Sequence, residues 1–233
     1  MRRTPALLLS LALLPACAGV HPPPATDKGK LDCRFSREPA VVFIPGASRG
    51  AADWSAVRDA LSPEVKTCAW EPPRSGPRTA GSDARLLLSA LQGRAERWVL
   101  VGHSYGGLVV RVAADAAPDR LAGAVFVDSV HEDLFDPAQA VPVSDKQHID
   151  WIPSFQEATS AGLPGGIPVL ALAADYGGKL SEADLASHRK LVANGAPGEV
   201  VVVERSSHHI PRDRPDAIAE AVRRLLTLPA SRR

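Results

Sequence analysis

The sequence has no surplus of charge. Its 27 Lys and Arg stand against 26 Asp and Glu, a formal net charge of +1 over 233 residues. Residues 1 to 16 contain Arg2 and Arg3 and no acid, so the rest of the chain carries −1. A chain this balanced offers no basic face for nucleic acid. Long apolar runs are also missing. The run from Pro5 to Ala16 is about a dozen residues, too short to cross a bilayer as a helix. There is no internal repeat and no coiled-coil heptad. Cysteine is scarce, and the adjacent pair His208 and His209 has no spaced carboxylates or cysteines to complete a metal site.

What is present is an alternation of short apolar runs with helical patterns. Runs at Val41 to Ile44, Val65 to Trp70, Trp98 to Val101, Gly123 to Asp128, Ile167 to Ala173 and Glu199 to Glu204 read as strands. Between and after them, Asp53 to Leu61, Ser82 to Leu91, Tyr105 to Ala117, Ser181 to Val192 and Asp213 to Leu226 read as helices, the last with Ile218, Val222, Leu225 and Leu226 on one face. Strands alternating with helices imply an α/β domain with a mainly parallel sheet covered on both faces. The length suits one such domain, residues 31–228.

One stretch breaks the rhythm. Residues 129–166 wander through nearly forty residues before the next strand, far beyond an ordinary loop. Following the strand after the central helix, the segment is placed to cap the space above it. Leu134, Phe135, Trp151, Ile152 and Phe155 argue for packing against the alternative of a disordered insertion.

The segment "WVLVGHSYGGLVVRV", Trp98 to Val112, places one serine among glycines where a strand gives way to a helix. Gly102-His103-Ser104-Tyr105-Gly106 fits G-x-S-x-G, a turn so sharp that only small neighbours fit and the hydroxyl is lifted out of the sheet. The helix start also aims backbone N–H groups at the space where negative charge would develop. The competing reading is a glycine-rich helix start without chemistry.

Taken in order, "VVFIPGASRGAADW", "VGHSYGG", "AVFVDSVHED" and "VVVERSSHHIPRDRPDAI" make the chain from Leu31 to Leu226 resemble the α/β-hydrolase fold. It is particularly similar to secreted bacterial serine esterases with one cysteine ahead of the first parallel strand and another in the next. The resemblance implies a catalytic triad in the order serine, acid, histidine. Ser104 is the nucleophile and His208 the general base, by alignment of "SSHHIPRDRP" with the pattern G-x-G-H-x-x-x-x-D-x-P. His209 is then a pocket wall or a surface residue, and His103 is structural. For the acid, Asp128 at the end of the strand after the helix that follows Ser104 stands first, with Asp175 and Asp133 as alternatives. Backbone N–H groups of Ala47 and Tyr105 form the oxyanion hole, although Pro45 replaces the usual histidine of that loop. No metal or organic cofactor is implied, and the substrate is a small-molecule or lipid ester. A catalytically inactive binding lipoprotein of the same fold is the other reading.

The N-terminus "MRRTPALLLSLALLPAC" ends in a stretch similar to the bacterial lipobox. It implies a signal peptide over residues 1–16, a lipid on Cys17, and a flexible tether over 17–30 rich in Pro and small polar residues. The expectation is an exported bacterial envelope lipoprotein facing the periplasm and anchored to a membrane; the alternative is ordinary cleavage near Ala18 and release. Cys33 and Cys68 then remain in an oxidising compartment and are expected to pair. That bridge closes a loop of about 35 residues, for which chain entropy gives roughly 3 to 4 kcal/mol. Two buried free thiols are the alternative.

Overall fold

A computed structural model describes residues 28–34, 40–74, 76–136 and 148–228. The expected signal peptide, Cys17, most of the tether and residues 137–147 of the cap segment lie outside them. Seven strands form one sheet: β1 (Lys30–Arg34), β2 (Val41–Ile44), β3 (Thr67–Glu71), β4 (Trp98–His103), β5 (Leu121–Val127), β6 (Val169–Ala174) and β7 (Gly198–Val203), in the spatial order β1-β3-β2-β4-β5-β6-β7. All neighbours are parallel except β1, which runs antiparallel to β3. The sequence pattern predicts six of these strands. The seventh, β1, has the half-exposed profile of an edge strand and begins where the tether was expected to end. Its register sets Cys33 opposite Cys68, and the two form a disulfide.

The helices are α1 (Ser55–Leu61), α2 (Ala80–Leu91), α3 (Gly106–Ala116), α4 (Trp151–Ala161), α5 (Glu182–Leu191), α6 (Ile210–Asp213) and α7 (Pro215–Thr227). The buried run of β2 divides cleanly by the two-residue period of a strand. Val41 and Phe43 pack with Trp54, Leu61, Val222 and Leu225 on one face. Val42 and Ile44 pack with Leu87, Leu108 and Phe126 on the other. Such strands carry near-continuous apolar runs because water touches neither face.

On the first face α7 presents Ile218, Val222 and Leu225, three positions of one helical stripe, while Leu226, expected on that stripe, is exposed. On the second face α3 is buried nearly all round, from Gly106 through Ala114, because α2 and α4 cover it. No helix among the described residues is long and apolar enough to cross a membrane.

The described part of residues 129–166 is packed. Helix α4 lies across α2 and α3 and is fastened by polar groups. Ser154 Oγ accepts the N–H of Ala80 at 3.0 Å, and the carboxylate of Glu157 accepts the N–H of Gly81 at 2.7 Å and the hydroxyl of Thr79 at 2.9 Å. These N–H groups belong to the first turn of α2, which lacks intrahelical acceptors, so the cap helix completes the N-terminus of α2 from outside. The β-bridge between Arg78 and Ile149 ties the same two regions.

Candidate active site

Ser104 stands in the turn between β4 and α3 with a left-handed φ of 52°, uncommon for a residue with a side chain. The turn is held by the Ser104 N–H donating to Val127 O at 3.1 Å and by Gly107 N–H donating to Ser104 O at 3.0 Å. The glycines around it answer a steric demand. A Cβ on Gly102 would lie 2.5 Å from Gly106 O, and a Cβ on Gly106 would lie 2.5 Å from Ile44 O. The backbone of β2, β4 and α3 can therefore close around Ser104 only without side chains at those two positions. Helix α3 begins at Gly106, one residue later than its sequence pattern suggests, which leaves Tyr105 as its N-cap.

The loop after β7 carries His208, whose Nδ1 lies 2.7 Å from Asp128 Oδ2. A carboxylate only accepts here, so Nδ1 carries the proton, and the neutral form of the ring has its lone pair on Nε2. Asp128 follows β5 with a left-handed φ of 40°, and it is buried. Burial opposes its ionisation, but donors from His208, from the Ala174 N–H at 3.0 Å and from the Tyr176 hydroxyl at 2.6 Å outweigh it and hold the carboxyl below its ordinary value. Asp128 is thus a buried anion satisfied on both oxygens.

Neither alternative acid meets His208. Asp175 is half-buried and accepts the N–H groups of Gly177, Arg205 and Ser206 at 2.9 to 3.1 Å, which clips the loop after β6 to the loop after β7. Asp133 pairs with Lys190. The His208 loop has a second clip in Asp213, whose carboxyl is lowered to about 2 by hydrogen bonds from Ser207 and Arg212.

His103 is buried, with its ring 4.8 Å from that of His208. Its Nε2 lies 2.7 Å from the His208 carbonyl and so donates to it. Burial lowers its pKa to about 4, so it is a neutral strut under the backbone of His208. His209 takes a hydrogen bond from Arg49 across 3.4 Å and lines a separate surface hollow with Arg212. Ala47 lies in the loop after β2 and Tyr105 follows the serine; among the described residues no backbone carbonyl accepts either N–H. The Tyr105 hydroxyl donates to buried Asp83 at 3.1 Å.

A cavity of about 380 Å³ opens beside Asp128 and His208. Its apolar wall comes from the cap: Phe135 stacks on Phe155 with centroids 4.0 Å apart, and Trp151 lies 6.0 Å from Phe155 and 5.5 Å from Tyr105. Its polar wall includes Ser129, His131, Tyr176 and His188. Sequence reasoning missed Tyr176 and His188. Tyr176 adjoins Asp175, a candidate acid by sequence, and His188 sits in a helix whose exposed neighbours disguise its burial. No cluster of three or more metal-ligating side chains exists among the described residues.

A family model described as alpha/beta hydrolase fold matches residues 91–162, the Ser104 turn and much of the cap. Esterase PIR7B of Oryza sativa subsp. japonica is 38% identical over 109 residues, 42% of this chain and 41% of the relative. Methylesterase 8 of Arabidopsis thaliana is 53% identical over 38 residues, 16% of this chain and 14% of the relative. The chain thus spans well under half the length of the curated relatives it matches. Among solved structures, an alpha/beta hydrolase fold protein from Burkholderia ambifaria superposes with a TM-score of 0.65 at 15% identity, over 82% of this chain and 92% of the other. A naproxen esterase from Bacillus subtilis gives 0.58 at 15% identity, over 87% and 93%. With its sheet order and its serine turn, this chain has the α/β-hydrolase fold.

Proposed function

We propose that the protein is a serine hydrolase that cleaves carboxylic esters through an acyl-enzyme. The observation that carries this reading is the pairing of a left-handed Ser104 at the strand-to-helix turn with the 2.7 Å His208 to Asp128 hydrogen bond on the adjoining loops. Similarity to esterases of rice and Arabidopsis supports the reaction class.

In the proposed cycle Ser104 Oγ attacks the ester carbonyl as His208 Nε2 takes the hydroxyl proton. The imidazolium is stabilised by the Asp128 carboxylate. The N–H groups of Ala47 and Tyr105 receive the oxyanion, each donor being worth about 3 to 4 kcal/mol in such sites. Collapse of the tetrahedral intermediate expels the alcohol, which takes the proton from His208. Water, activated by the same imidazole, then releases the acid and restores Ser104. The aromatic wall of Phe135, Trp151 and Phe155 fits an apolar or aromatic group of the ester.

The test is turnover of p-nitrophenyl esters from acetyl to palmitoyl by wild type and Ser104→Ala. Turnover lost by a factor of about 10⁴ or more in the variant supports the serine mechanism. Folded wild type that hydrolyses none of them favours the inactive binding lipoprotein. We further propose that Cys17 is lipidated and holds the protein at a bacterial envelope membrane; the N-terminal "LPAC" supports this. Metabolic labelling with palmitate that survives in a Cys17→Ser variant would contradict it.

A further inference from the structure

Two donors converge on one oxygen of Asp128. His208 Nδ1 lies 2.7 Å from Oδ2, and the Tyr176 hydroxyl donates to that same atom at 2.6 Å. The other oxygen accepts the Ala174 N–H and lies 3.6 Å from Nε2 of His188. Tyr176 is also held by its backbone. Its φ is 52°, a conformation that disfavours side chains, and its N–H donates to Ser206 O at 3.0 Å. The neighbouring Asp175 clip joins this loop to the one bearing His208. In the polar wall of the cavity, the Tyr176 hydroxyl is directed at Asp128.

We propose that Tyr176 is a positioning residue: it fixes the Asp128 carboxylate for His208 and draws charge from the oxygen the two share. The inference rests on the ester-hydrolase reading of this site. An oxygen held from two sides cannot swing away when His208 becomes charged. Tyr176 is 39% exposed as a whole, but its hydroxyl is turned onto Asp128, where desolvation and the carboxylate push its ionisation well above the ordinary value, so the phenol stays a donor. By taking part of the negative charge on Oδ2, it also moderates how strongly the imidazolium is favoured over the neutral ring. The other titratable groups facing this cluster are His188 and Asp184 from α5, His103 from β4, His209 beside His208, and His131 from the segment after β5.

The experiment compares wild type, Tyr176→Phe, and protein with 3-fluorotyrosine in place of Tyr176, a stronger hydrogen-bond donor. It records the pH profile of kcat/KM on a p-nitrophenyl ester, and by NMR the downfield proton shared by His208 and Asp128. In Tyr176→Phe the shared oxygen regains charge. The acidic limb of the profile should move up by about half a pH unit, kcat should fall about threefold to tenfold, and KM should stay within about twofold. The shared proton should move further downfield, and fluorotyrosine should shift both readouts the opposite way. A rise in KM alone, with the limb and the resonance unmoved, would show Tyr176 to be a cavity wall and overturn the proposal. The NMR readout needs no substrate. Failure of the ester reading would instead appear as absent Ser104-dependent turnover with a resonance that still answers to Tyr176→Phe.

Discussion

The imidazole of His208 and the carboxylate of Asp128 meet at 2.7 Å although 80 residues separate them in the chain. Parallel strands bring them together: β5 and β7 flank β6 and end on the same side of the sheet. Replacing the acid should remove the fixed tautomer and the counter-charge while sparing the fold. Asp128→Asn is therefore expected to lower kcat by about 10⁴. Asp175→Asn should instead lower the melting temperature by loosening its loop and keep kcat within about tenfold of wild type. Steady-state kinetics and thermal melts of both variants check the contrast.

Asp83 should impose a pH dependence on stability. It is buried beneath Tyr105 with Arg78 3.6 Å away, and desolvation raises its pKa from 3.8 to about 6 despite that arginine. Between those values the native state holds a proton that the unfolded chain releases. The stabilisation is complete below pH ~4 and is lost as pH rises through ~6, by on the order of 3 kcal/mol. Urea unfolding of wild type from pH 4 to pH 7 should show this loss, and Asp83→Asn should show a flatter profile. Equal slopes in the two proteins would count against it.

Removal of the Glu157 carboxylate should unfasten the cap. With the Gly81 N–H and the Thr79 hydroxyl left without their acceptor, Glu157→Ala is expected to cost about 1 to 2 kcal/mol, the range of a lost N-cap. Because α4 also bears Trp151 and Phe155, KM for bulky esters should rise more than kcat falls. Denaturant titration and a chain-length series measure the two effects.

Two glycine replacements should differ sharply. A Cβ on Gly106 meets the carbonyl oxygens of Ile44 and Pro45 at 2.5 and 2.8 Å, both rigid backbone. Gly162 has open space around it and only a φ of +74° to strain. Gly106→Ala should cost more than about 4 kcal/mol and fail to accumulate as folded protein, while Gly162→Ala should cost about 1 kcal/mol. Soluble yield and melting temperature separate them.

Much of the architecture is legible in the chain because its local signals agree with one another. The buried run at Val41 to Ile44, the G-x-S-x-G turn and the α7 stripe each carry their own periodicity or steric demand. Asp128 stands first as a candidate because it ends a strand, yet the sequence leaves Asp175 and Asp133 open beside it. That choice depends on which carboxylate the His208 loop reaches, a matter of how β5, β6 and β7 align. Tyr176, His188 and Glu157 were invisible for the same reason: each acts on a partner at least 46 residues away, as the Ala174 contact with Asp128 also does, and no pattern in their own neighbourhood marks them. β1 carries no strand signal in the sequence because an edge strand of five residues, none of them buried, has no apolar run.

The nucleophile is tested most directly by intact-mass and peptide-mapping analysis after reaction with a fluorophosphonate, which labels a serine only when a base activates it. One adduct is expected, on Ser104, absent in Ser104→Ala and slowed by about 10³-fold or more in His208→Ala. Folded wild type that takes no label, or takes it on another residue, would contradict a nucleophilic Ser104 served by His208.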